Sequence, residues 1–315
     1  MCGVDETLRV FSGSSHPQLA QAICKQLGIA LGHVTIDRFA NEDMFVQIME
    51  NVREKDVFVV QTAARPVNES LMELLIMIDA LRSASARRIT AVLPYYPYAR
   101  SDKKDMPRIS ITARLVADLL KAAGAHRVLT MTLHTPQIHG FFDMPMDHLL
   151  ATPLLCGYFA GRDLSEYVAV APDAGSARRT GPYAEYLNIP MAIGDKRRLG
   201  RTEKVEIVRI VGEVKGRKVI VFDDEIATGA SLMELVRMLE KEGVQEIYAA
   251  AAHGVFCGPA LERIRNSSVR EVVVTDTLPL PPEKAIDKIK VVPVAPLFAE
   301  AIRRIHTGES VSALF

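Results

Sequence analysis

One strand–helix–strand pattern occurs twice in this chain, and it limits the fold more than any other feature. Val57-Phe58-Val59-Val60 matches Val219-Ile220-Val221-Phe222. Ser70-Leu71-Met72-Glu73-Leu74 matches Ser231-Leu232-Met233-Glu234-Leu235, and Ile89-Thr90-Ala91-Val92 matches Ile247-Tyr248-Ala249-Ala250. The offset stays near 160 positions, as a duplicated supersecondary unit produces. Short apolar runs bounded by turns suit strands buried on both faces, and the amphipathic stretches between them suit helices. Their alternation predicts an α/β fold with mostly parallel, doubly wound sheets. With 315 residues the chain is longer than one core usually spans. Two similar domains are therefore expected, 1–150 and 151–300, with 301–315 a helical tail packing on the first.

The pattern predicts strands at Leu8–Phe11, Val34–Phe39, Met44–Ile48, Val57–Val60, Ile89–Pro94 and Val128–Leu133, the second and third as a hairpin. The second half adds Tyr167–Ala171, Pro190–Gly194, Val205–Val211, Lys218–Phe222, Ile247–Ala252 and Val272–Val274. Helices are expected through Leu27, over Ser70–Leu81, Thr112–Ala123, Tyr183–Leu187, Leu232–Glu242 and Phe298–Thr307.

The two copies differ where chemistry is expected. After its strand the second copy carries Asp223-Asp224-Glu225-Ile226-Ala227-Thr228-Gly229-Ala230-Ser231, whereas the first has Gln61-Thr62-Ala63-Ala64-Arg65-Pro66. Open α/β sheets bind ligands at the carboxyl ends of their strands. A Thr-Gly-Ala-Ser turn opening a helix offers free N–H groups and hydroxyls, which suit a phosphate. The acidic pair suits neutral hydroxyls, or a metal that also binds phosphate. Together they indicate a sugar phosphate, although a solvated Asp-Asp loop and a plain helix cap would have the same letters.

Three further stretches add to this. Pro94-Tyr95-Tyr96-Pro97-Tyr98-Ala99-Arg100-Ser101-Asp102-Lys103-Lys104 brings rings and cations after a strand, suited to a planar base with phosphates. Its bland counterpart is a solvated loop anchored by its rings. His134 and His139 lie just past a strand end, and Val170–Arg179 reads as a second strand–acid–glycine turn around Asp173. A lone histidine is more often structural than a ligand. Asp195-Lys196-Arg197-Arg198 is a basic loop, either an anion site or a solvated run. The set is what phosphoryl or pyrophosphoryl transfer requires, since such catalysis is mostly positioning and charge neutralisation.

Composition excludes broad alternatives. Lys+Arg and Asp+Glu are both 38, so net charge gives no reason to expect nucleic acid or a membrane. There is no secretory signal and no apolar run of about 18 residues. Cys2, Cys24, Cys156 and Cys257 are scattered without metal spacing, which fits a reducing compartment, the cytoplasm.

The motifs in their order resemble those of the ribose-phosphate pyrophosphokinase (phosphoribosyl pyrophosphate synthetase) family over nearly the whole chain. The carrying stretches are Arg38–Asp43, Pro94–Lys104, Leu133–Asp143, Pro172–Gly175, Asp195–Arg198, the 219–231 stretch, Ala252–Phe256 and Ala299–Ser312. The resemblance implies two phosphoribosyltransferase-like domains, only the second keeping a sugar loop. It implies transfer of the β,γ-diphosphoryl group of ATP to the anomeric hydroxyl of ribose 5-phosphate, releasing AMP. It further implies that Phe39, Asn41, Glu42 and Asp43 contact ATP from a neighbouring subunit, with Arg100 and Ser101 also on ATP. His134 and Asp173 would ligate Mg²⁺, and Lys196 and Arg198 would be catalytic. Arg198, Asp223, Asp224, Ala227, Thr228, Gly229, Ala230 and Ser231 would hold ribose 5-phosphate. A homo-oligomer built from dimers, up to a hexamer, and phosphate or ADP effectors are implied as well. The chain departs from the family pattern at Glu42-Asp43, where Gly-Glu is usual, and at Ser101, usually Gln. It also departs at Thr132, often Asp, at Ala227, often Asp, and at Ser231, often Thr. Two alternatives fit parts of the pattern: a phosphoribosyltransferase, which consumes the activated sugar, and a catalytically silent regulatory homologue.

Overall fold

A computed structural model describes residues 6–198, 205–282 and 285–314. The chain forms two compact units. One comprises Met1–Leu150, Thr277–Pro279 and Val294–Phe315; the other comprises Ala151–Asp276 and Leu280–Pro293.

The first unit runs β1 (Leu8–Ser12), α1 (Pro17–Leu27), β2 (Val34–Arg38), β3 (Met44–Ile48), β4 (Asp56–Val60) and α2 (Val67–Ser83), then β5 (Arg88–Leu93), α3 (Thr112–Ala123), β6 (Arg127–Met131) and β7 (Met146–Leu149). Its sheet is wholly parallel, in the order β1-β4-β5-β6-β7. All five residues of β4 are buried, as a strand covered on both faces requires. The pair β2-β3 is a separate antiparallel ribbon. Helix α3 ends at Gly124, whose φ of 114° lets its N–H cap the carbonyls of Leu120 and Lys121.

The second unit begins with α4 (Thr152–Phe159), β8 (Tyr167–Ala171), α5 (Ala174–Leu187), β9 (Met191–Arg198) and β10 (Val205–Val211). It continues with β11 (Lys218–Ile226), α6 (Ala230–Lys241), β12 (Glu246–Gly254), α7 (Ala260–Arg265), β13 (Val269–Thr275) and β14 (Ile289–Val292). The sheet order is β10-β9-β8-β11-β12-β13-β14, antiparallel only between β9 and β10. The order β8-β11-β12-β13-β14 reproduces β1-β4-β5-β6-β7, and each unit inserts one helix and one antiparallel pair after its first strand. The duplication therefore extends well beyond the three matched segments.

The last helix, α8 (Ala295–Thr307), corrects the expected boundary at 300. Residues 294–300 belong with the first unit, as do 277–279. The reason is the apolar face of α8, with Phe298, Ala299, Ala301, Ile302 and Ile305 buried, which packs against α1. Its end is fixed to buried Asp56, whose carboxylate meets the Arg88 guanidinium and lies 2.8 Å from His306 Nδ1, while Arg88 donates to Ile305 O at 2.9 Å.

Among the described residues two strands and two α-helices escaped the sequence pattern: β7, β14, α4 and α7. All are short, between 4 and 8 residues, too few for periodicity to show. Among the described residues no helix is long and apolar enough to cross a membrane. Cys24 and Cys156 are buried, and burial pushes their thiols up to about 12. Cys2 lies outside the described residues.

Candidate active site

In the second unit the chain leaves β8 towards β9 on one side and returns to β11 on the other. The gap between β8 and β11 is therefore a topological switch point, where such sheets bind ligands. The register opens it. Pairing of β11 with β8 stops at Val221, whereas pairing with β12 continues to Ile226. Residues 223–226 thus extend past the end of β8, still held as strand on their other side. The sequence pattern ends this strand at Phe222 with the two acids just past its end, but β11 runs on to Ile226 and carries both Asp223 and Asp224. They are in this way held by a ladder rather than by a turn.

The two carboxylates differ. Asp224 shares a face with Phe222, which stacks on Tyr183 of α5 with ring centroids 4.4 Å apart. Asp224 is 5% exposed and accepts from Arg179 Nη2 at 2.9 Å. Asp223 retains 29% of its side-chain surface, and its Oδ1 lies 3.5 Å from the same nitrogen. Burial raises the Asp223 carboxyl well above the usual carboxylate range, and the Asp224 charge raises it further, with Arg179 opposing both. Two carboxyl groups side by side, one of them reluctant to ionise, offer acceptors and a donor to ligand hydroxyls.

The turn that follows is shorter than the sequence suggested, since α6 begins at Ala230 and includes Ser231. Gly229 caps it at φ 71°, a left-handed conformation that glycine adopts without strain. The Thr228 side chain is exposed, and its Oγ1 accepts a long bond, 3.4 Å, from Ala230 N. Ala227 contributes only main chain here; its carbonyl accepts from Cys257 N at 2.9 Å.

Asp173 is the N-cap of α5, not part of an open turn. Its Oδ1 accepts from Ser176 N at 2.8 Å while Ser176 Oγ accepts from Asp173 N at 3.0 Å, a reciprocal capping box. The helix therefore starts nine residues before the expected Tyr183. Pro182 and Gly175 in its sequence hid this start, and so Arg179 lies on a helix beside the acids rather than in the turn. Asp195–Arg198 is likewise not a loop but the end of β9, paired with β10 through Lys196↔Ile207 and Arg198↔Val205. The side chains of Lys196 and Arg198 lie outside the described part of the structure.

In the first unit, Phe39, Asn41, Glu42 and Asp43 form the tip of the β2-β3 ribbon. Phe39 is 58% exposed and meets Phe45 edge-on at 5.7 Å. Asn41 Nδ2 donates to Asp43 Oδ2 at 2.6 Å. Glu42 has φ 71°, a left-handed conformation that glycine adopts without strain. Of the three tyrosines expected to serve a planar base, Tyr96 belongs to the core. It is 1% exposed, donates to Ala113 O at 2.9 Å and packs edge-on against Phe142. Tyr98 stays partly exposed and bonds Asn68. Arg100 is exposed, and Ser101 Oγ donates to Ser110 O at 3.3 Å. His134 is half-buried, three residues past β6, behind Thr132 at φ 39°. A β-branched residue is strained there, and an aspartate tolerates it better. His134 and Asp173 belong to different units. Among the described residues no three His, Cys, Asp or Glu side chains converge as a metal cage.

Comparisons with known proteins identify the family. Residues 8–124 match the N-terminal domain of ribose phosphate pyrophosphokinase, and residues 198–315 match the phosphoribosyl synthetase-associated domain. A ribose-phosphate pyrophosphokinase of Caldanaerobacter subterraneus subsp. tengcongensis is 52% identical over the full length of both chains. The chain belongs to the ribose-phosphate pyrophosphokinase family. A Deinococcus radiodurans family member is 51% identical over 98% of each chain. The crystal structure of phosphoribosylpyrophosphate synthetase from Mycobacterium smegmatis matches with a TM-score of 0.91 at 44% identity, covering 96% of this chain and 100% of that one. Two phosphoribosyltransferase-like domains and a pyrophosphokinase activity class follow for this member of the family.

Proposed function

We propose that this chain transfers the β,γ-diphosphoryl group of ATP to ribose 5-phosphate, giving phosphoribosyl pyrophosphate and AMP. The observation that carries the reading is the pair Asp223 and Asp224 at the β8/β11 switch point, directly before a helix-opening turn. In this reading the O1 hydroxyl of ribose attacks the β-phosphorus, an O–P bond forms, and the bond from that phosphorus to the AMP oxygen breaks. Asp223 and Asp224 receive the ribose hydroxyls. Thr228, Gly229, Ala230 and Ser231 receive the 5-phosphate through N–H groups and hydroxyls, with Ala227 in the same turn and Arg198 nearby. Lys196 and Arg198 neutralise charge on the transferring group. Phe39, Asn41, Glu42 and Asp43 of one subunit, with Arg100 and Ser101, hold ATP in another.

Magnesium is typically held by one or two carboxylates with substrate phosphates and water completing the shell. The Asp173 carboxylate offers such a ligand and the His134 ring a nitrogen donor, each past a strand's carboxyl end, and a bound Mg²⁺ would screen the phosphate charge. A cytoplasmic homo-oligomer of dimers, up to a hexamer, with phosphate and ADP as effectors, completes the reading. The test is AMP formation by the purified chain from ribose 5-phosphate, ATP and Mg²⁺. Formation by the chain alone also excludes a silent regulatory role, whereas no AMP overturns the proposal.

A further inference from the structure

The carbonyls of the 226–229 turn are all held from outside the crevice. Ile226 O accepts from Phe256 N at 3.0 Å and Ala227 O from Cys257 N at 2.9 Å. Thr228 O accepts from Arg263 Nη1 at 2.8 Å, and Gly229 O from Met233 N at 3.0 Å as α6 begins. In a planar trans peptide the N–H of the next residue points opposite to the carbonyl. Held carbonyls therefore aim the N–H groups of residues 227–230 the other way, away from the 256–263 segment and the body of α6.

Three of these four peptides are held by main-chain donors. The Thr228–Gly229 peptide alone is held by a side chain, and it precedes a glycine at φ 71°, where rotation of the peptide costs least. Arg263 also lines a cavity of about 470 Å³ with Met233, Arg237, Glu262 and Asn266, so loss of its guanidinium opens Thr228 O to water. We infer that Arg263 is a positioning residue for the sugar-phosphate subsite, fixing the Thr228–Gly229 peptide so that its N–H faces the 5-phosphate from α7, outside the substrate crevice. The inference rests on the ribose 5-phosphate reading of this turn.

The experiment compares Arg263→Met, Arg263→Lys and the exposed neighbour Arg265→Ala in the full chain, by steady-state kinetics and by calorimetric titration with ribose 5-phosphate. Arg263→Met raises KM and Kd for ribose 5-phosphate about tenfold, equivalent to about 1.4 kcal/mol, with KM for ATP and Tm unchanged. Arg263→Lys, which keeps a cationic donor, recovers most of the loss, and Arg265→Ala matches wild type. Unchanged ribose 5-phosphate affinity in Arg263→Met overturns the inference, as does an equal rise in both KM values. If Arg263→Met does not fold, Arg263→Ala, which has the best helix propensity, decides: a rise confined to ribose 5-phosphate supports the role, and no rise refutes it. Failure of the parent reading shows separately, as wild-type chain that forms no AMP.

Discussion

The crevice between β8 and β11 and its counterpart between β1 and β4 come from one topology and meet opposite ends. In the second unit the acids at the crevice share one guanidinium, and the Asp223 carboxyl is pushed up by burial and by its neighbour. In the first unit, Gln61 stands in the place of Asp223 and the polar groups satisfy one another. Glu73 accepts from Ser14 N at 2.5 Å, Ser14 Oγ at 2.6 Å and Gln61 Nε2 at 2.8 Å, while Gln61 Oε1 accepts from Ser15 N and Oγ at 3.1 and 2.5 Å. A Cβ on Gly13 would stand 2.3 Å from Gln61 Oε1, so only glycine fits against this network. A polar crevice that is internally satisfied adds stability. The second crevice instead sets two carboxylates beside each other at the end of β8, where a ligand can reach them.

Five experiments would break or sharpen that comparison. Lys196 lies on β9, in the antiparallel pair that joins the second sheet, whereas the pair in the first unit stays apart. Lys196→Ala should lower turnover by about three powers of ten or more with KM for ribose 5-phosphate nearly unchanged, as for a group acting in the transition state. Equal losses in both would contradict that role. Grafting the first unit's residues onto the second, Asp223→Gln with Asp224→Thr, should cut kcat/KM for ribose 5-phosphate by about a thousandfold, the cost of two charged contacts. Retention within tenfold would mean that the acids are not what distinguishes the crevices.

Glu73→Ala should lower unfolding free energy in urea by about 3 kcal/mol, because several buried donors lose one charged acceptor. Kinetics of the folded protein should not change if the first crevice is purely structural. Asp223→Asn should act in the reverse sense on stability. A carboxyl raised in the folded state binds more protons folded than unfolded, so wild-type stability falls as pH rises above about 4, the ordinary carboxyl value. The fall ends once the folded carboxyl ionises. Without ligand, the Tm advantage of Asp223→Asn should therefore be absent at acid pH and grow across that window; a constant difference would show that burial does not hold the proton. Glu42→Gly has the smallest effect. Relief of the left-handed strain at φ 71° should stabilise the protein by about 1 kcal/mol in thermal melts.

The long buried strands, the amphipathic helices and the two-copy plan were legible because their periodicity runs over many residues. The start of α5 was not. Gly175 and Pro182 read as breakers, while the capping box that starts the helix is a local hydrogen-bond choice. Arg179 therefore reads as a phosphate donor in a turn, whereas it stands on the helix beside both acids. The basic run at Asp195–Arg198 looked like a loop because charged residues rarely signal strand. Tyr96 looked like a base-stacking ring, and only the packing against Phe142 assigned it to the core.

Local chemistry written in the chain thus determined the fold class, the duplication and the residues that differ between its copies. These depend on side-chain character and spacing, which sequence carries directly. Tertiary structure decided that the acids ride on β11 rather than in a loop, that Arg179 and Arg263 reach the site, and that the first crevice is closed by its own side chains. Each of these depends on where strand pairing stops and which distant groups arrive there. Such contacts span from 35 to 59 residues, beyond the range of any local pattern.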